Sequence, residues 1–187
     1  MNLNTLTPHL KDLRLSVILE TLEIRHRQAL DERWSYQDFL ERLLQDEVER
    51  RGQKQLSLRL RRAAFQPGKT LERFDFGFNP GLDRQRVLDL ATCSFIERGE
   101  PVLIVGPSGV GKSHLAQAFG HEACRRGYDV VYINAARLLT HLAGGRADGT
   151  YERRLQGYAR PDLLIIDDFG LKPLRAPASE DFYDLIN

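Results

Sequence analysis

Residues 106 to 113 read GPSGVGKS, a glycine-rich run that ends in a lysine and a hydroxyl residue. The spacing G-x-x-x-x-G-K-[ST] is that of a phosphate-binding loop, and every fixed position of it is filled. Gly106 and Gly111 are expected to allow backbone conformations in which successive N–H groups point toward a phosphate chain. The predicted cofactor-binding residues are the whole run: Gly106, Pro107, Ser108, Gly109, Val110, Gly111, Lys112 and Ser113.

Two side chains at the end of this run have chemical roles of their own. Lys112 is expected to reach the β- and γ-phosphates and to act in catalysis. Ser113 is expected to place its hydroxyl on Mg²⁺, a cation that keeps several waters and needs few protein ligands. The start of the following helix adds about half a positive charge facing the phosphates. The expected cofactors are therefore ATP and Mg²⁺.

A second constellation is the run Leu163-Leu164-Ile165-Ile166-Asp167-Asp168, four aliphatic residues followed by two acids. A continuous apolar strand is typical of a parallel sheet buried on both faces. In phosphate-binding-loop enzymes such a strand delivers an aspartate to the second or the first coordination shell of magnesium, and Asp167 is the predicted metal residue. Asp168 would point differently and could orient or deprotonate the attacking water, which favours an ATPase over a small-molecule kinase. A helix cap or turn is the alternative role for Asp168.

The elements around these residues alternate between strands and helices. The predicted strands are Pro101–Val105, Asp129–Ile133 and Asp162–Ile166. The predicted helices run from Asp83 to about Arg98, over Ser113–Arg126, around Arg137–Leu142, over Tyr151–Tyr158 and from about Ala178. Such alternation predicts an α/β domain over residues 83–187, with a parallel sheet that carries helices on both faces.

Residues 1–65 are predicted to be helical, and residues 66–82 to be a linker. Thr7 with Pro8 signals a helix start, and Leu10, Leu13 and Val17 follow on one helical face. Ser35 to Asp38 fits a capping box that opens another helix. The apolar stripe of that helix is Tyr36, Phe39, Leu40, Leu43, Leu44 and Val48. In the linker, Phe74, Phe76 and Phe78 are expected either to pack in the core or, for one of them, to stack on adenine.

Positive charge is concentrated in one segment, although the formal net charge of the chain is only +1. Between Arg50 and Arg73 there are eight basic residues and one acid, Glu72. Such a local field would attract phosphate backbones, although a solvated helix face would give the same pattern. The predicted nucleic-acid-binding residues are Arg50, Arg51, Lys54, Arg59, Arg61 and Arg62.

Composition excludes several classes of protein. The longest aliphatic run is four residues, whereas a membrane helix needs about 20, so no membrane association is expected. No signal peptide is visible. Cys93 and Cys124 match no metal or redox spacing and are expected to be buried thiols in a reducing cytoplasm. His114 is expected to pack or to face solvent, and the other histidines have no ligand spacing.

Several longer stretches, GPSGVGKSHLAQA, YDVVYINAARLL and DLLIIDDFGLKPL, together resemble the IstB-like ATPases, helpers of insertion-sequence transposases. The resemblance implies an AAA+ type ATPase that binds duplex DNA nonspecifically, forms a homo-oligomer with ATP between subunits and cooperates with a transposase. It makes Gly106–Ser113 the Walker A motif, Asp167 the magnesium aspartate and Asp168 the catalytic acid, where many AAA+ proteins carry glutamate. Helicase loaders resembling DnaC share the core and are the alternative.

The family also implies segments that would follow Asn187: a strand with a sensor residue, an arginine finger and a last strand. The sequence is therefore expected to be a truncated ATPase domain, with a gap in the sheet between the strand before Gly106 and the strand that ends at Asp167. It is expected to bind nucleotide weakly and to hydrolyse it at a negligible rate. The rival functions are a non-hydrolysing DNA-binding adaptor and, less favoured because no arginine-rich lid is visible, a nucleotide kinase.

Overall fold

The structure is a computed structural model that describes residues 5–171 and 173–186. By their contacts, the residues form two compact units divided in sequence between Ser57 and Leu58. Residues 1–4 of the predicted N-terminal region lie outside the described residues, as do Lys172 and Asn187, the last residue of the predicted final helix.

The first unit is helical, as predicted. It contains α1 (Leu6–Asp12), α2 (Ser16–Glu32) and most of α3 (Tyr36–Ala63), which ends in the second unit. Thr7 is not the N-cap, because α1 begins at Leu6 and Thr5 takes the capping position. Arg14 has a φ of 56°, a left-handed conformation that separates α1 from α2. Leu13 is therefore exposed and does not share the face of Val17.

The capping box at Ser35 is confirmed. The Ser35 hydroxyl accepts a hydrogen bond from the Asp38 N–H, and the Asp38 carboxylate accepts one from the Ser35 N–H, each at 3.1 Å. These two bonds satisfy N–H groups that have no partner within the helix, and α3 begins at the next residue.

The core of the first unit uses a narrow part of the predicted α3 stripe. Leu43 is buried against α2, with Phe39 half-buried beside it. Glu47 follows one turn later and is also buried; its carboxylate accepts the Val17 N–H of α2 at 2.9 Å. Only one ridge of α3 meets the neighbouring helices, so the remaining residues of the predicted stripe are exposed. They are Tyr36, Leu40, Leu44 and Val48.

The second unit contains a parallel sheet, as predicted. Strands β1 (Val130–Asn134) and β2 (Leu163–Asp167) pair so that Val130 lies opposite Leu163 and Asn134 opposite Asp167. Each strand begins and ends one residue later than predicted. The helices of this unit are α4 (Arg84–Ala91), α5 (Ser94–Glu97), α6 (Lys112–Arg126), α7 (Ala135–Asp148), α8 (Tyr151–Ala159) and α9 (Ala178–Ile186).

The prediction of a strand at Pro101–Val105 is wrong. The segment pairs with no strand among residues 5–171 and 173–186, where β1 and β2 form the sheet. Leu103 and Val105 are 81% and 80% exposed, while Ile104 packs into the core. An apolar run becomes a strand only when a neighbour supplies ladder hydrogen bonds, and none of the described segments does so here.

The helix predicted from Asp83 to Arg98 is divided in two. Asp83 is the N-cap, as predicted, and its carboxylate accepts the Arg86 N–H at 3.2 Å. The two helices are separated at Cys93, whose φ of 63° is incompatible with a continuous right-handed helix. By contrast, α7 is longer than the helical segment predicted around Arg137–Leu142, because it continues to Asp148.

The segment predicted as a linker, residues 66–82, belongs to the second unit and packs on its core. It contains two short 3-10 turns, Leu71–Arg73 and Phe76–Phe78. Side chains from it cover a core cluster formed by α4 and α6; the cluster is Val87, Ala91, Leu115 and Phe119, with Leu71, Phe74 and Phe76 among the residues against it. Among the described helices, none is both long and apolar enough to cross a bilayer.

Candidate functional site at the start of helix α6

The glycine-rich loop runs directly into α6, which begins at Lys112. Gly109 and Gly111 have φ values of 83° and 94°, so the loop uses the left-handed conformation that glycine adopts without strain. The expectation is correct for Gly111 but wrong for Gly106, whose φ is not positive; Gly109 takes that role. At Gly111 an added Cβ would also lie 3.0 Å from the Phe74 ring.

Lys112 lies back across its own loop. Its Nζ donates a hydrogen bond to the Pro107 carbonyl oxygen at 2.6 Å. The first four N–H groups of a helix have no partner within the helix, so the ammonium group and the start of α6 form a cationic surface beside the loop. Residues 106–109 of the loop are exposed, which leaves this surface open to an anionic ligand.

Ser113 and Asp167, the two predicted metal residues, are brought together from α6 and β2. The Ser113 hydroxyl donates to Asp167 Oδ1 at 2.9 Å. Both groups are hard oxygen ligands of the kind that Mg²⁺ prefers, and Mg²⁺ is commonly held by one or two protein oxygens with water and phosphate completing the shell. The described residues contain no cluster of three or more His, Cys, Asp or Glu that could hold a metal ion.

Asp168 is exposed and directly follows β2. Its φ is 55°, and its Oδ2 accepts a hydrogen bond from Asn134 Nδ2 at 2.7 Å. Asn134 also caps α7, since its Oδ1 accepts the Ala136 N–H at 2.9 Å. Sequence reasoning missed Asn134; the available signal was a polar residue at the carboxyl end of an apolar strand parallel to the one that carries Asp167.

The family can be assigned from this site and from the whole chain. The profile described as IstB-like ATP binding protein matches residues 8–187, which include the helical region, the glycine-rich loop and Asp167. The chain belongs to the IstB-like family. The resemblance inferred from the sequence is therefore confirmed, and with it the α/β phosphate-binding-loop fold preceded by a helical region.

Individual relatives of this IstB-like protein come from insertion sequences. An insertion-sequence ATP-binding protein of Mycobacterium tuberculosis is 42% identical over 178 residues, which cover 95% of this chain and 71% of the relative. The IS21 ATP-binding protein of Pseudomonas aeruginosa is 38% identical, covering 92% and 69%. The IS5376 ATP-binding protein of Geobacillus stearothermophilus is 33% identical, covering 93% and 69%.

Tyr132 is a second residue of the IstB-like site that sequence reasoning missed. Its hydroxyl donates to Asp167 Oδ2 at 2.6 Å, from the strand next to the one that carries the acid. Burial, together with the Asp167 carboxylate, raises the pKa of Tyr132 above its ordinary value. The phenol therefore stays protonated at neutral pH and acts as a hydrogen-bond donor.

Of the three phenylalanines that precede the loop, Phe74 and Phe76 pack in the core and Phe78 is exposed. Phe74 lies edge-on to the His114 ring at 5.2 Å and to Phe76 at 5.0 Å, and both phenylalanines pack against the core. His114 Nε2 lies 2.9 Å from the Thr70 carbonyl oxygen, so this histidine has the packing role expected for it. Phe78 is 70% exposed and is the one left as a candidate for adenine stacking.

Helix α6 is tied to the start of the predicted linker by a buried glutamine that the sequence did not single out. Gln117 is fully buried; its Oε1 accepts the Gln66 N–H at 2.8 Å, and its Nε2 donates to the Ser113 carbonyl oxygen at 3.1 Å. Phe65 packs on His121, with ring centres 4.5 Å apart. Gln66 and Ser113 are thus joined through one side chain.

Half of the six predicted nucleic-acid residues are paired with acids. In the first unit, Arg50 lies 3.6 Å from Glu20 and Arg51 lies 2.7 Å from Glu47.

In the second unit, Arg59 lies 3.7 Å from Asp129. Lys54, Arg61 and Arg62 are exposed and make no ion pair with any described residue.

Both cysteines are buried free thiols, as predicted. Burial raises the pKa of Cys93 and raises the pKa of Cys124 to about 11. Because the thiolate is the reactive form, neither residue has the character of a nucleophile or metal ligand.

Proposed function

We propose that this IstB-like protein binds ATP with Mg²⁺ and acts in the cytoplasm as an ATPase helper of DNA transposition, together with a transposase and duplex DNA. The observation that carries the proposal is the 2.9 Å contact between Ser113 and Asp167 beside the glycine-rich loop. The insertion-sequence origin of the relatives supports the transposition context.

The loop would bind the triphosphate through its own donors. Lys112 would exchange the Pro107 carbonyl oxygen for phosphate oxygens, and the free N–H groups at the start of α6 would donate to the same chain. Ser113 and Asp167 would hold the magnesium ion. When bound, magnesium neutralises charge that develops on the transferring phosphate.

Asp168 would act on the attacking water. Its carboxylate accepts from Asn134, whereas the Asp167 carboxylate accepts from Ser113, so the two acids of the site would serve different atoms. A homo-oligomer with ATP between subunits would complete the site, because hydrolysis in this class also uses an arginine from a neighbour. Asp168→Asn in a hydrolysing assembly is expected to abolish turnover and to spare nucleotide binding.

A non-hydrolysing DNA-binding adaptor is the second candidate. It is favoured by the segment Pro101–Val105, which leads into the loop without ladder hydrogen bonds to any described strand. A loop that is not fixed by a sheet would position nucleotide poorly, and a small misplacement alone costs about 10²-fold in rate. An adaptor of this kind would bind nucleotide with negligible turnover, and DNA-stimulated turnover would exclude it.

DNA contact is proposed to be nonspecific and to use basic residues that are free of acidic partners. The salt dependence of DNA affinity measures this, since each neutralised phosphate contributes about −0.9 to the log–log slope. Replacing Arg61 and Arg62 by Gln should flatten the slope by up to about 1.8. Arg59→Gln is the single-charge control: because Asp129 already pairs with Arg59, it should flatten the slope by less than about 0.9, the value expected for one free basic residue. An unchanged slope in the double variant would place the DNA surface elsewhere.

An experiment in cells distinguishes the proposed role in transposition from a role in helicase loading. Lys112→Ala introduced into an active insertion sequence should lower the transposition frequency and leave chromosome replication unchanged. A replication defect with normal transposition would favour the helicase-loader alternative.

A further inference from the structure

The acid predicted to bind magnesium is held by three donors from three places in the fold. Asp167 Oδ1 accepts from the Ser113 hydroxyl and from the Asp168 N–H, each at 2.9 Å. Asp167 Oδ2 accepts from the Tyr132 hydroxyl at 2.6 Å. The tyrosine bond is the only one of these three that fixes the second carboxylate oxygen, and thereby the rotation of the group.

The fold presents the Tyr132 hydroxyl to Asp167 through strand register and side-chain packing. Tyr132 lies opposite Ile165 on the paired strand, two residues before the acid, so its ring reaches toward the carboxyl end of β2. The ring is half-buried and lies 6.2 Å from the Phe65 ring, which in turn packs on His121. The ring is therefore held by packing as well as by the hydrogen bond to Asp167.

We propose that Tyr132 is a positioning residue for the metal site: it fixes the Asp167 carboxylate so that Oδ1 stays directed at Ser113. The inference rests on the proposed Mg²⁺–nucleotide function. A ligand carboxylate that is free to rotate must be ordered when the cation binds, and loss of an outer partner of this kind typically costs about 10- to 100-fold in metal affinity. Tyr132 would thus set the magnesium requirement of nucleotide binding without touching the nucleotide.

The test is the Mg²⁺ concentration that half-saturates binding of a fluorescent ATP analogue to the full chain. Tyr132→Phe removes only the hydroxyl and keeps the ring that packs near Phe65, so the fold should survive. We expect the half-saturating Mg²⁺ concentration to rise about 10- to 100-fold. In excess EDTA, wild type and variant should bind the analogue equally, because the loop contacts are unchanged.

The matched control is Tyr128→Phe, which removes a tyrosine–carboxylate bond of the same type. The Tyr128 hydroxyl donates to Glu97 at 3.0 Å, and this control should leave the Mg²⁺ midpoint unchanged. A Tyr132→Phe midpoint equal to or below that of wild type would overturn the positioning role, even if the variant unfolds at lower urea. If wild type itself shows no Mg²⁺-dependent binding, the proposed function fails first, and this inference fails with it.

Discussion

The buried Gln117 allows a quantitative test of how Gln66, at the start of the predicted linker, is anchored to helix α6. Gln117→Met keeps the length and approximate volume of the side chain but removes both hydrogen bonds, to the Gln66 N–H and to the Ser113 carbonyl. No large cavity forms, so the change in stability reports on the polar contacts. The two partly buried hydrogen bonds that are lost are worth about 0.5–1.5 kcal/mol each, or about 1–3 kcal/mol together.

We therefore expect Gln117→Met to lower the free energy of unfolding by about 1–3 kcal/mol. Urea unfolding followed by far-ultraviolet circular dichroism measures the change, and an unchanged m value would show that the same surface is exposed on unfolding. Gln85→Met is the matched control: Gln85 donates to Asp89 on the surface of α4, and its loss should cost less than about 0.5 kcal/mol. Equal effects of the two substitutions would refute the anchoring role of Gln117.

Three further outcomes are expected from the packing and capping of the chain. Gly120→Ala should lower thermal stability by about 1–3 kcal/mol, because the new Cβ would lie 2.5 Å from the Phe65 ring; Gly157→Ala, with nothing within 4 Å, should not. Burial lowers the pKa of His121, so as the pH falls the imidazole is protonated in the unfolded chain before it is protonated in the folded one. The free energy of unfolding should therefore fall as the pH drops below about 6.5, and His121→Gln should reduce that loss between about pH 7.5 and 5.5. Ser35→Ala should cost about 0.5–2 kcal/mol in urea unfolding of the first unit, and no change would deny its capping role.

The parts of the site that sequence predicted are those defined by local spacing. The run from Gly106 to Ser113 includes all the residue types that a phosphate-binding loop requires. The apolar strand that ends in Asp167 can also be recognised from its own sequence, without knowing which segments lie beside it. Likewise, Ser35 and Asp38 form a cap from residues three apart. In each case the physical cause lies within one element, and the structure shows the predicted element there.

The parts that sequence did not predict depend on contacts between distant segments. Pro101–Val105 is as apolar as β2, but a strand also needs a hydrogen-bonding neighbour, and composition does not say which segments pair. Tyr132 and Asn134 belong to the site only because β1 lies parallel to β2 in one register. Gln117 appears as an ordinary polar residue of a helix until the Gln66 N–H is found against it.

Phosphate binding by Lys112 at the start of α6 is the central requirement of the proposed function. Titration of a fluorescent ATP analogue in the presence of Mg²⁺ compares wild type with Lys112→Ala, and Lys11→Ala, on the exposed surface of α1, controls for the loss of one positive charge. A hydrogen bond to a charged group is worth about 1.5–3 kcal/mol, so the dissociation constant should rise about 10- to 150-fold for Lys112→Ala alone. Equal affinities of wild type and Lys112→Ala would contradict the assignment of the loop as the nucleotide site.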